Sequence, residues 1–177
     1  MPNTTVLRPA ASRHLVHSAA SAATKELAGV VADHVRGGDL LLLVGDLGAG
    51  KTTFVQGFAL ALGVDEPVTS PTFTLARTYP GRLPVHHVDV YRLERMAEVG
   101  DLGLGELIDS NGVTLVEWGD VIRAALPTSY LEVRFEFGEE PDDRTIAVRA
   151  VGPVWHARAG ALVTNLAPWH DGGAAPC

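Results

Sequence analysis

The sequence predicts an α/β fold: three layers around a mixed sheet whose core strands run parallel and whose edge strands run antiparallel. Three observations predict it. Residues 40–44 are a continuous apolar run followed at once by a glycine-rich loop and then by helical spacing, the order strand, loop, helix. Residues 113–118, apolar apart from Thr114 and Glu117, read as another buried strand. Residues 130–137 and 145–151 are β-rich, and the polar stretch 139–143 turns one back on the other as an antiparallel pair.

Each element can be justified in order. Residues 1–20 carry no sustained pattern and are set apart as a poorly defined N-terminal extension. Over 21–35, Leu27, Val30, Val31, His34 and Val35 recur at helical spacing, and Gly37 and Gly38 close the segment. After the first strand and its loop, residues 53–62 read as a helix with Gly63 just past its end, and 64–71 as loop. Two extended segments, 73–79 and 85–91, flank a turn at 80–84 rich in proline and glycine. Residues 94–109 read as one or two short helices broken by Gly100, Gly103 and Gly105; a further short helix over 120–126 is stopped by Pro127. From 152 onward a short helix is expected, then a disordered tail at 171–177. One domain, 21–152, is therefore predicted, with a C-terminal extension at 153–177. No internal repeat or linker divides it.

Composition bounds the function. A chain of 177 residues with 46 % hydrophobic content can bury a full core. No stretch approaches the roughly 18 apolar residues of a membrane span, and the first residues lack a secretory leader pattern. The single cysteine, Cys177, excludes a disulfide framework and a thiolate metal site, so a reducing, cytoplasmic setting is expected. A net charge of −7 argues against tight independent binding to nucleic acid, whose affinity comes largely from neutralising phosphates.

The glycine-rich loop carries the chemistry. Gly45-Asp46-Leu47-Gly48-Ala49-Gly50-Lys51-Thr52 fits G-x-x-x-x-G-K-[ST], for which this composition, with only two lysines, predicts roughly 0.003 chance matches. Gly45, Gly48, Ala49 and Gly50 would let backbone N–H groups cradle phosphates at a helix N-terminus. Lys51 would reach the β- and γ-phosphates as a catalytic cation, the Thr52 hydroxyl would ligate Mg2+, and Thr53 would complete the cradle. ATP and Mg2+ are the expected cofactors, within a P-loop NTPase-like domain.

Three further segments refine the site. Ser70, Thr72 and Thr74 surround Pro71, a grouping that suits either a γ-phosphate switch or a plain turn before an edge strand. Asp89, within His87-Val88-Asp89-Val90-Tyr91-Arg92-Leu93, ends an extended segment where doubly wound sheets bind ligands. It would orient water or accept its proton as a catalytic residue, or else cap the next helix or pair with Arg92. His86 and His87 face opposite sides of a strand and cannot chelate one ion; a structural role is expected for His86. Glu117 closes the run 113–117 where P-loop proteins place a metal-binding acid, and its alternative is an exposed strand-end carboxylate. Trp118 either stacks near the nucleotide or closes a core.

In order and spacing, from about residue 21 to 151, these segments resemble the bacterial tRNA threonylcarbamoyladenosine biosynthesis ATPase family, TsaE (formerly YjeE). The matching stretches are Gly45 through Thr53, Ser70-Pro71-Thr72-Phe73-Thr74-Leu75, the His87 to Leu93 segment and Glu117-Trp118. The resemblance implies an ATPase subunit of the system that threonylcarbamoylates adenosine 37 of tRNAs reading codons that begin with A. Its implied partners are a catalytic transferase subunit and its non-catalytic paralogue, of TsaD and TsaB type, with tRNA met only through them. It further implies a nucleotide-contacting arginine in the late hairpin, for which Arg144 is the candidate. A small-molecule or nucleoside kinase is the main alternative, although Arg92 and Arg95 are few for an arginine-rich lid. A GTPase is disfavoured by the missing guanine-reading motif. A purely nucleotide-gated binding module would not need both Asp89 and Glu117.

Overall fold

The structure, a computed structural model, describes residues 13–71, 73–92 and 103–170. Its strands are β1 (Arg13–Ser18), β2 (Leu40–Val44), β3 (Ala76–Tyr79), β4 (Val85–Asp89), β5 (Val113–Glu117), β6 (Tyr130–Phe137) and β7 (Arg144–Val151). Its helices are α1 (Ser21–Ala32), α2 (Lys51–Ala61), α3 (Leu104–Asp109) and α4 (Gly152–Leu166). The strands form one sheet in the order β1-β7-β6-β2-β5-β4-β3. Pairings β6–β2, β2–β5 and β5–β4 are parallel, while β3 and the β7–β1 flank run antiparallel. This is the mixed sheet with a parallel core that the sequence predicts.

Alternation along β2 builds the layers. Leu41 and Leu43 pack with Leu27, Val31, Phe54, Phe58, Trp155 and Leu162 on the face covered by α1, α2 and α4. Leu40, Leu42 and Val44 pack with Leu104 and Ile108 of α3 on the other face. Because both faces are covered, every residue of β2, β4 and β5 is buried, which is why β2 reads as an unbroken apolar run and β5 as one interrupted only by Thr114 before Glu117. Gly57 lets α1 and α2 cross closely: a Cβ there would collide with the Lys25 backbone.

Four elements differ from expectation. Residues 13–18 pair with β7 as an edge strand, where no element was expected before residue 21. The first turn of α2 begins at Lys51, two residues earlier than helical spacing suggested, because Gly50 takes a left-handed conformation (φ 107°) that launches the helix at once. The short helix expected over 120–126 is only a 3₁₀ turn at Arg123–Ala125, whose bonds reach three residues back before Pro127 ends it. The short helix expected after 152 runs for 15 residues and buries Trp155, Leu162 and Leu166. The helix expected over 94–109 lies partly, and the tail 171–177 wholly, outside the described residues. Among the described residues no helix is long and apolar enough to cross a membrane.

Candidate active site

Parallel register sets the site. β4 and β5 pair so that Asp89 stands opposite Glu117 at their C-terminal ends, and β2 ends beside them in the glycine-rich loop. The loop is held close to β6: Gly45, at φ 150°, has the Phe135 carbonyl oxygen 2.6 Å from where a Cβ would sit. A cavity of about 440 Å³ opens at this edge. It is lined by Gly48, Gly50, Lys51, Thr52, Thr53, Ser70, Asp89, Glu117 and Trp118, together with Leu47, Tyr91 and Arg92.

The side chains are already connected. Lys51 donates to the carbonyls of Gly45 at 2.6 Å and Asp46 at 2.8 Å, and its ammonium lies 4.0 Å from the centre of the Trp118 ring. Burial pushes the Lys51 pKa below the ordinary lysine value, while Glu117, Asp89, Asp46 and Asp120 pull it back up. The Thr52 hydroxyl donates to Glu117 Oε1 at 2.8 Å, and His87 Nε2 lies 2.8 Å from the same oxygen. Ser70 donates to Asp89 Oδ2 at 2.8 Å, and the Tyr91 N–H donates to Oδ1 at 3.0 Å, a local turn bond. Trp118 adopts a left-handed backbone (φ 61°), at a cost on the order of 1–2 kcal/mol. That conformation carries its half-buried ring to the cavity wall, 4.8 Å from Tyr91, while the ring also packs on the second core cluster.

Nine of the residues singled out from the sequence thus line one cavity, with Gly45 and Ala49 in the loop behind them. Thr74 is exposed and does not line it, and Thr72 lies outside the described residues. Arg144 reaches the glycine-rich loop through the loop's carbonyls. It donates to Ala49 O at 3.0 Å and Gly48 O at 3.3 Å and lines a smaller neighbouring cavity of about 90 Å³ with Ser21, Thr24 and Thr53. His86 fills the structural role expected of it. Ser110 spends its hydroxyl hydrogen on Leu107 O, so His86 Nε2–H donates to Ser110 while Nδ1 accepts from Thr78. Sequence reasoning gave no role to Tyr91 or His87; their places in the His87 to Leu93 segment were the available signal.

The donor set suits a hard cation. The Thr52 hydroxyl and the Glu117 and Asp89 carboxylates supply only oxygen, and among the described residues no group of three or more His, Cys, Asp or Glu forms a dedicated cage. That pattern fits Mg2+, which takes one or two protein oxygens and completes its shell with phosphate and water. Loop amides, a helix N-terminus and Lys51 together can hold a polyphosphate, and Asp89 stands where a water could be oriented against it.

Comparisons with known proteins agree with this geometry. Residues 18–146 match the family model described as threonylcarbamoyl adenosine biosynthesis protein TsaE. The chain is 47 % identical over 130 residues to the tRNA threonylcarbamoyladenosine biosynthesis protein TsaE of Bacillus subtilis, covering 73 % of this chain and 80 % of that one. It is 40 % identical over 138 residues to the protein of the same name from Streptomyces coelicolor, covering 74 % and 93 %. The crystal structure of Bacillus subtilis YdiB superposes with a TM-score of 0.77 at 35 % identity, covering 89 % of this chain and 98 % of that chain.

Proposed function

We propose a function from one premise: the chain belongs to the TsaE family of threonylcarbamoyl adenosine biosynthesis proteins. It serves the formation of threonylcarbamoyladenosine in tRNA, at position 37 of tRNAs reading codons that begin with A. Its part there is to bind and hydrolyse ATP, and turnover resets the transferase complex between rounds. The observation that carries this reading is the meeting of Lys51, Thr52, Asp89 and Glu117 in one cavity at the ends of β2, β4 and β5.

The roles follow from position. The loop amides and Lys51 hold the β- and γ-phosphates, and Lys51 exchanges its two loop carbonyls for phosphate oxygens. Mg2+, held by Thr52 and Glu117, would neutralise charge on the phosphates. Asp89, fixed by Ser70 and the Tyr91 amide, orients the attacking water or takes its proton. Arginine support is sparse: the Arg92 guanidinium lies 4.8 Å from the Phe73 ring centre, and Arg144 is engaged by loop carbonyls. The isolated chain is therefore slow, and the catalytic transferase subunit with its non-catalytic paralogue accelerates it. A transition-state charge stabilised in trans is worth about 10³–10⁵ in rate.

The test measures phosphate release with and without that heterodimer, for the parent and Asp89→Ala. Strong stimulation of the parent, with Asp89→Ala binding ATP but turning it over poorly in both conditions, is expected. Brisk hydrolysis by the chain alone, indifferent to the heterodimer, would overturn the resetting role, and release that requires a small-molecule acceptor would mark a kinase.

A further inference from the structure

His87 is fully buried in β4, two residues before Asp89, and plays no part in the roles above. Its neighbour serves as a control. His86 is also buried, and both its ring nitrogens are matched by neutral hydroxyls, those of Thr78 and Ser110. His87 faces the other side of the strand, where its Nε2 meets Glu117 Oε1 at 2.8 Å. Its Nδ1 is buried and has no hydrogen-bond partner among the described residues. The polar tether of this ring is thus the bond to the glutamate.

Glu117 gains a fixed geometry from that bond. Its side chain is only 5 % exposed, and Oε1 receives hydrogens from both His87 and Thr52. A glutamate carries one more rotatable bond than the aspartate common at this strand end, so its carboxylate has more freedom to lose on meeting a cation. A donor on the adjacent strand removes that freedom in advance. Carboxylates that ligate metals are generally held by such outer hydrogen bonds.

We propose that His87 is a positioning residue for metal ligation. It fixes Glu117 so that the carboxylate meets a divalent cation bound with the nucleotide phosphates, and it touches neither cation nor nucleotide. This rests on the nucleotide-binding reading of the cavity.

Three variants separate positioning from simple core filling. His87→Phe keeps the ring volume and loses the donor. His87→Gln carries an amide nitrogen to about the Nε2 position, whereas His87→Asn ends short, near Nδ1. Each is titrated by calorimetry with a non-hydrolysable ATP analogue, in Mg2+ and in EDTA, and Mn2+ affinity of the analogue complex is read by electron paramagnetic resonance. Metal affinity should fall about 10- to 100-fold in the Phe and Asn variants and largely return in the Gln variant. Affinity for the analogue in EDTA should stay at the parental value in all three.

Parental metal affinity in the Phe or Asn variant overturns the proposal, as does an equal loss in EDTA or a Gln variant no better than Asn. Should the Phe variant fail to fold, the contrast between Gln and Asn makes the same decision. A parent protein that binds no analogue in either condition would instead fail the nucleotide reading itself.

Discussion

Lys51 sits in the cavity on borrowed partners, two loop carbonyls and an indole face, that phosphate oxygens can replace. A charge-assisted bond of this kind contributes about 1.5–3 kcal/mol, so Lys51→Ala should lower ATP affinity about 10- to 150-fold by calorimetry. Parental affinity would remove Lys51 from the site. His86 supplies a different prediction. Burial lowers its pKa from 6.5, so the folded protein binds a proton less readily than the unfolded chain. Its contribution is intact above about pH 6.5 and is lost as the pH falls through the folded-state value. Urea midpoints measured across that range should drop on the acid side, and His86→Gln should flatten the drop. At this scale much of the site was legible. Lys51, Thr52, Asp89 and Glu117 stand at fixed offsets from strand ends, and strand ends show in the sequence. The His87–Glu117 and Ser70–Asp89 pairs were not legible, because each joins residues brought together only by β-sheet register or loop path. Arg144 is assigned to the nucleotide only through the family resemblance; the hairpin brings its guanidinium onto the Ala49 and Gly48 carbonyls of the loop, contacts that join residues 95 and 96 apart and leave no local signal.

Elements divide by how much of their burial they announce. β2 is an unbroken apolar run and β5 is largely one, because both faces are covered, and their limits are readable to within a residue. β1 was not, since Val16 is its only buried aliphatic and Leu15 is half exposed. α4 carried a signal that went unused: Trp155, Leu162 and Leu166 fall on one face of a helix and join the core. The α1–α2 contact was legible in its apolar residues but not in its closeness, which depends on Gly57 and on which backbone it meets. Gly57→Ala improves helix propensity yet forces the two helices apart. Overpacking of this sort costs about 1–3 kcal/mol, and each kcal/mol lowers Tm by about 2–4 °C in a domain this size. Differential scanning calorimetry should show the fall; a rise in Tm would mean that the helices part without penalty.

The molecule as a whole is closed by a segment beyond the matched family region, which ends at residue 146. Helix α4 and the 3₁₀ turn after it bring Trp155, Leu162, Leu166 and Trp169 onto the core. Arg158 clamps the helix to the start of β2 through two bonds to Asp39, of 2.6 and 2.7 Å, and a third to His34 O at 3.0 Å. Removing one partner of a largely buried pair leaves an uncompensated charge, so Arg158→Ala should destabilise by about 3–5 kcal/mol in urea unfolding. Stability unchanged in that variant would make α4 an appendage. Strand order carries a last consequence, for how the chain folds as it is made. β1 and β2, the first two strands, are separated in the sheet by β7 and β6, and β2 is separated from β4 by β5. Among the described strands, only the β3–β4 hairpin can pair before residue 113 has been synthesised. The central strand, wholly apolar, must therefore wait for partners up to about 90 residues downstream, and long-range parallel pairing of this kind closes slowly. The ribosome releases a nascent chain with its stickiest segment early and its last partner late, so the interval between β2 and β6 is the period in which aggregation competes with folding.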